Sequence, residues 1–152
     1  YGYYVLFLVN PEGDLDYSVF QLVDFGTNLL QGPFAATNIG DCFRDALSAE
    51  SADSFSFADF KPYWPSYEAP AAFIGSPIFD GGERVGVLIF QFPLDRINDM
   101  MAIRDGLGET GETCLVGGDF LPRSNSFLDP DNRTVVQAGR NPGWRPRVLR
   151  MH

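Results

Sequence analysis

Between residues 71 and 104 the chain runs strand, glycine-rich turn, strand, proline and helix, and few folds accommodate that order. Residues 71–79 read Ala-Ala-Phe-Ile-Gly-Ser-Pro-Ile-Phe and residues 85–92 read Val-Gly-Val-Leu-Ile-Phe-Gln-Phe, with Asp80-Gly81-Gly82-Glu83 between them. Two apolar runs around a Gly-Gly turn predict a hairpin, because glycine accepts the positive φ that tight hairpin turns demand. Pro93 closes the second strand. Leu94, Ile97, Met100 and Met101 then share one side of a helix predicted over 93–104, which the glycines at 106 and 108 stop. A hairpin that runs straight into a departing helix can hand a change of shape to the element that follows.

The upstream chain supplies more strands. Residues 3–9 are aromatic and branched, Asn10-Pro11-Glu12-Gly13-Asp14 is a turn, and residues 15–22 alternate as a returning strand. A loop with Asp24-Phe25-Gly26-Thr27-Asn28 follows, where Thr27 or Asn28 is expected to cap a helix. Apolar residues at 39, 42, 43, 46 and 47 have helical spacing. Residues 54–60 carry Phe55, Phe57 and Phe60 and predict a third strand, and residues 61–70 form an aromatic, proline-rich loop. The order predicts an α+β, PAS-like sheet of five antiparallel strands with helical insertions, over residues 3–92. After the break a hairpin theme returns in residues 112–124, as though a second, incomplete module began there. The expected domains are 1–104, the first module with its exit helix; 105–127, the start of the second; and 128–152, an irregular basic tail.

Charge narrows the partners. All 20 acidic residues precede residue 132, so the body is strongly acidic and repels nucleic acid, although Arg133, Arg140, Arg145, Arg147 and Arg150 give the end a basic character. No run reaches the length of a membrane span, and the opening in mid-strand reads as a piece of something longer. Cys42 and Cys114 are too few for a disulfide framework, and both are expected in the core. The single histidine, His152, ends the chain. Neither a haem nor a histidine-based triad is expected, nor is a metal site rich in histidine and cysteine. No Asp-x-Asp-x-Asp-Gly calcium loop occurs. Asp24-Phe25-Gly26 lacks the companion segments of a kinase, and Glu109 and Glu112 are expected to be solvated or capping rather than paired for acid–base work. No catalytic residue, metal or cofactor is therefore expected.

Several phrases together resemble a known family. Tyr3-Tyr4-Val5-Leu6-Phe7-Leu8-Val9-Asn10-Pro11-Glu12-Gly13 is similar to the first hairpin of a double Cache extracytoplasmic sensor domain. Asp24-Phe25-Gly26-Thr27-Asn28-Leu29, residues 71–79 and Gly86-Val87-Leu88 continue the likeness. Residues 108–117, Gly-Glu-Thr-Gly-Glu-Thr-Cys-Leu-Val-Gly, resemble the opening of the second module, and Arg123-Ser124-Asn125-Ser126 extends it. The resemblance covers roughly residues 3–127. It implies the ligand-binding part of a bacterial transmembrane receptor, such as a chemoreceptor, histidine kinase or nucleotide cyclase, lying in the periplasm and belonging to an inner-membrane protein. Amino-acid-binding relatives carry Arg-x-Trp-Tyr before the fourth strand and an Asp on the fifth. Here those places hold Lys61-Pro62-Tyr63-Trp64 and Gln91, and a neutral Gln cannot grip an ammonium as a carboxylate does.

The candidate ligand-binding residues are Asp59, Tyr63, Trp64, Tyr67, Phe73, Ser76 and Gln91. A carboxylate among aromatics on a loop suits a small polar or cationic solute. The same loop also reads as a surface turn whose aromatics cap the core, Phe73 as plain core, and Gln91 as a partner for a nearby backbone group. The alternative function is a non-binding module that forms a homodimer or contacts a partner protein. An enzyme is not expected, because no nucleophile and base can be paired.

Overall fold

The computed structural model of the protein describes residues 5–67 and 69–140. They fall into two compact units, one through Pro93 and one from Leu94.

The first unit is a five-stranded antiparallel sheet with one helix on a face. Its strands are β1 (Val5–Val9), β2 (Leu15–Ser18), β3 (Ser56–Tyr63), β4 (Ala69–Asp80) and β5 (Glu83–Phe92), in the order β2-β1-β5-β4-β3, and α1 (Asn38–Ser48) lies between β2 and β3 in the chain. The PAS-like α+β plan expected from the sequence is present. The β4–β5 turn is the primed type: Asp80 pairs with Glu83, and Gly81 and Gly82 both have positive φ, at 56° and 89°.

Strand alternation sorts the side chains onto two faces. Register places Val5 and Phe7 of β1, Gln91 and Ile89 of β5, and Phe73 and Gly75 of β4 on one of them. That face is the core, where Phe7, Phe73, Val87 and Ile89 are buried. α1 presents Ile39, Cys42, Phe43 and Ala46 to it, all fully buried. Their i, i+3, i+4, i+7 spacing gives the helix its apolar stripe, and burying a side chain such as Ile39 or Phe43 is worth about 1.5–3 kcal/mol. The close fit shows at Gly75, where an added Cβ would lie 2.9 Å from Ser56 Oγ and 3.0 Å from Cys42 Sγ. The other face carries Leu6, Leu8, Leu88, Phe90, Ile74 and Phe57 in neighbouring registers, partly or largely exposed.

Several boundaries differ from the sequence reading, and each difference has a physical reason. β3 runs on to Tyr63 and β4 starts at Ala69, so the aromatic loop is shorter than expected. Pro62 is tolerated because β3 is an edge strand, and Pro77 because β3 begins at Ser56, opposite Gly75, leaving that end of β4 unpaired on one side. β2 ends at Ser18, before the expected residue 22, and the chain then lifts off as a long loop. Asn28 caps a turn rather than a helix, its Oδ1 accepting the backbone N–H groups of Leu30 and Gln31 at 2.9 and 3.0 Å.

The second unit contains α2 (Leu94–Met101) and the short α3 (Val135–Arg140). The expected return hairpin is reduced to an isolated bridge between Val116 and Pro122. Polar clasps hold the remainder. The Glu112 carboxylate accepts from the Ser126 hydroxyl at 2.8 Å and from the backbone N–H groups of Phe127 and Leu128 at 2.9 and 3.1 Å. Arg104 donates to the carbonyls of Gly108, Glu109 and Gly111 and stacks its guanidinium over the Phe127 ring. Cys114, expected in the core, is exposed, because its segment has no sheet to join. The distal tail from residue 141, including Arg145, Arg147, Arg150 and His152, lies outside the described residues.

Candidate functional site

The loop that follows β2 crosses the core face and returns into α1. Its deepest polar contact is with the opposite edge of the sheet. The Tyr63 hydroxyl, at the end of β3, donates to Asp24 Oδ2 at 2.7 Å, and both residues are buried. Burial first, then the negative charge of Asp24 and the hydrogen bond to it, push the Tyr63 phenol far above its ordinary value. The phenol therefore keeps its proton and acts as the donor. Asp24 Oδ1 is also buried and has no hydrogen-bond partner.

Tyr63 itself belongs to an aromatic cluster. Tyr63 meets Phe73 edge-on with ring centroids 5.1 Å apart, and Phe34 of the loop lies 6.0 Å from Tyr63 and 6.5 Å from Trp64, stacked on the latter. Trp64 opens the 3-10 turn Trp64–Ser66 and is 65% exposed. Gln91 lies opposite Phe73 on the same face and donates from Nε2 to Ser66 Oγ at 3.1 Å, tying β5 to that turn. The turn closes on Tyr67, which has a φ of 55° and is 96% exposed.

Of the residues anticipated from the sequence, Tyr63, Phe73 and Gln91 therefore stand together on one face, with Trp64 at its rim and Tyr67 outside it. Ser76 does not join them. One residue beyond Gly75, its side chain points to the opposite face, and its hydroxyl donates to the Ser54 carbonyl at 3.0 Å. Asp59 occupies the bulge where the β3–β4 register shifts. Its Oδ1 accepts from the Phe60 N–H at 2.7 Å, and its carbonyl accepts from Asn38 Nδ2 at 2.9 Å. Asp24, Phe34 and Ser66 were not anticipated. Asp24 carried a signal, since it is an acidic residue within a mostly apolar run at 19–25; Phe34 had none, because only the crossing loop brings it close, and Ser66 had none, because only the Trp64–Ser66 turn brings it to Gln91.

No metal-ligating cluster occurs among the described residues. None of their helices is long and apolar enough to cross a membrane. No family model and no curated protein matches the chain. Solved structures do match it, at low identity. The ligand-binding domain of the Pseudomonas fluorescens chemoreceptor CtaA, in complex with L-isoleucine, superposes with a TM-score of 0.58 at 16% identity, covering 94% of this chain and 52% of that one. The chain thus shares its fold with a chemoreceptor ligand-binding domain. The L-serine complex of the same domain gives a TM-score of 0.56 at 15% identity over 82% of this chain and 48% of that one. With L-valine the values are 0.55 and 16% over 88% and 54%. The chain spans about half the length of the solved domains it matches.

Proposed function

We propose that the chain is a ligand-sensing domain of a bacterial transmembrane signalling receptor, exposed on the periplasmic side of an inner membrane, that takes a small polar or cationic solute. The observation that carries this reading is the convergence of Tyr63, Phe73, Gln91 and Trp64, with Asp24 and Phe34 from the crossing loop, on the helix-covered face of a PAS-like sheet. Aromatic walls with a few placed polar groups suit a small organic solute. The likeness in fold to a domain solved with four amino acids supports the same reading. Trp64 and Tyr67 would flank the entrance, and residues 105–127 would open a second module. Binding acts as a signal only if the solute favours one arrangement of the loop over another. Titration calorimetry on the chain with small amines, amino acids and organic acids tests the proposal. One class should bind and lose at least tenfold in affinity on Gln91→Ala, and no binding by any of them would refute it.

A second reading has an observation of its own. Phe7, Phe34 and Phe73 pack against one another or against Tyr63 where a solute would sit, which suits a module that binds no solute and instead pairs with a second copy. Light scattering after size exclusion separates the two. A dimer whose stability no solute alters would favour this second reading.

A further inference from the structure

The Asp24–Tyr63 pair holds an imbalance that the fold alone does not resolve. Asp24 is completely buried, yet its carboxylate receives a single hydrogen bond, from the Tyr63 hydroxyl to Oδ2 at 2.7 Å. Its other oxygen, Oδ1, is buried without a partner. No arginine or lysine among the described residues forms an ion pair with it: Lys61, on the adjoining stretch of β3, faces Asp41 of α1 at 3.7 Å, and Arg44 pairs with the same Asp41. An ionised carboxylate enclosed with one neutral donor is costly, and a cation brought beside it relieves that cost. The surroundings define the kind of cation. Tyr63, whose hydroxyl meets the carboxylate, belongs to an aromatic cluster with Phe34 and Trp64, and aromatic rings attract a soft organic ammonium. A hard metal ion wants six or more oxygen ligands, and among the described residues no acidic cluster stands beside Asp24.

We infer that Asp24 Oδ1 is the anchor for the ammonium of a small organic amine that has no carboxylate of its own. This rests on the sensing role proposed above and names the ligand class for that site. A zwitterionic amino acid would leave its carboxylate without a basic partner near the anchor, so the amine alone is preferred. Entry to Oδ1 requires the loop of residues 19–25 to lift. Little apolar packing opposes that movement in the first part of the loop, where Val19, Phe20 and Val23 are exposed, although the backbone N–H groups of Val19 and Gly26 donate to Leu6 and Leu15 at its two ends. The moving part of the sensor is then the loop that carries the anchor.

The test uses three near-isosteric probes on the whole chain: isobutylamine, L-valine and isovalerate, which carry the ammonium alone, both charges, and the carboxylate alone. Calorimetry should show isobutylamine binding at least tenfold tighter than the other two, and Asp24→Asn should remove at least a factor of ten from its affinity. The asparagine keeps an acceptor for Tyr63, and a thermal melt of the variant checks that it folds. If it does not fold, the wild-type order of the three probes still decides. Isovalerate or L-valine binding as tightly as the amine would overturn the assignment while leaving a sensing role intact. An affinity for isobutylamine that Asp24→Asn leaves unchanged would also overturn it. Failure of all three probes overturns the assignment, and failure of the wider panel of amines, amino acids and organic acids removes the sensing role as well.

Discussion

The two units are held together by different means. In the first, a sheet and a helix enclose rings and branched side chains, and the few polar groups in that interior are only partly partnered: Asn38 Nδ2 donates to the carbonyls of Asp59 and Ala71 at 2.9 and 2.7 Å, while Asn38 Oδ1 and Asp24 Oδ1 are buried without a partner. In the second, charged side chains bridge backbone groups of loops, around Glu112 and Arg104, while Val135 and Ala138 are the apolar residues buried there among those described. Phe120 and Phe127 are at least half exposed. Hydrogen bonds can give a segment a defined course without a core, but they exchange for bonds to water on unfolding and contribute modestly. The first unit should therefore hold nearly all of the folding stability.

The largest expected effect tests that directly. Phe73→Ala should cost about 3–5 kcal/mol in chemical denaturation, enough to unfold much of the first unit. A loss of less than ~1 kcal/mol would mean that the aromatic cluster is not central to it. Asn38→Ala removes one buried and one partly buried hydrogen bond, so it should cost about 1–3 kcal/mol in the same assay. Glu112→Gln should cost less than about 1 kcal/mol, because that carboxylate is partly open to solvent. Its pH dependence carries the sharper signature. Partial burial raises the Glu112 pKa, but the hydrogen bonds from Leu128, Ser126 and Phe127 and the charge of Arg133 together outweigh it, and the folded value lies below the ordinary 4.5. A depressed carboxylate stabilises above its unfolded pKa and loses that contribution as pH falls through the folded value. The protection of the Phe127 and Leu128 amides against exchange, taken relative to the intrinsic rate at each pH, should therefore fall below pH 4.5 in the wild type and lose that acid step in Glu112→Gln. The smallest perturbation is chemical labelling. Burial, offset in part by the hydrogen bond with Ser56 and reinforced by the charge of Asp45, pushes the Cys42 thiol up to about 11, whereas Cys114 is exposed. An aromatic disulfide reagent should modify one thiol per native chain quickly and the second only on unfolding.

Much of the first unit was legible in the sequence because its signals are local. The Gly81-Gly82 turn, the alternation of residues 85–92 and the Ile39, Cys42, Phe43, Ala46 stripe each announce one element, and antiparallel neighbours follow from short connections. The end of β3 was not legible, because prolines at 62 and 65 read as loop unless the strand is known to lie at an edge. The candidate site was only half visible. Tyr63, Trp64 and Gln91 stand out as aromatics and an amide in telling places. Assigning Ser76 to the same face as Phe73 and Gln91 failed on parity, since 73 and 91 pair across the strands while 76 is an odd step from 73. Asp24 stands out as an acid among apolar residues, but its pairing was hidden because Tyr63 lies 39 residues away, a contact made only by the loop that crosses the sheet. In the second unit, strand propensity in residues 112–124 has nothing to pair with, so it produces a bridge and exposed Leu115 and Val116.

The central claim is that the first unit encloses a small solute beside Gln91. Thermal denaturation of the chain against a panel of small amines, amino acids and organic acids tests it most directly. A specific ligand at 100 times its Kd should add about 2.7 kcal/mol to the unfolding transition of the first unit, and Gln91→Ala should abolish most of that gain. A transition that no compound moves, or a gain that survives Gln91→Ala undiminished, would contradict it.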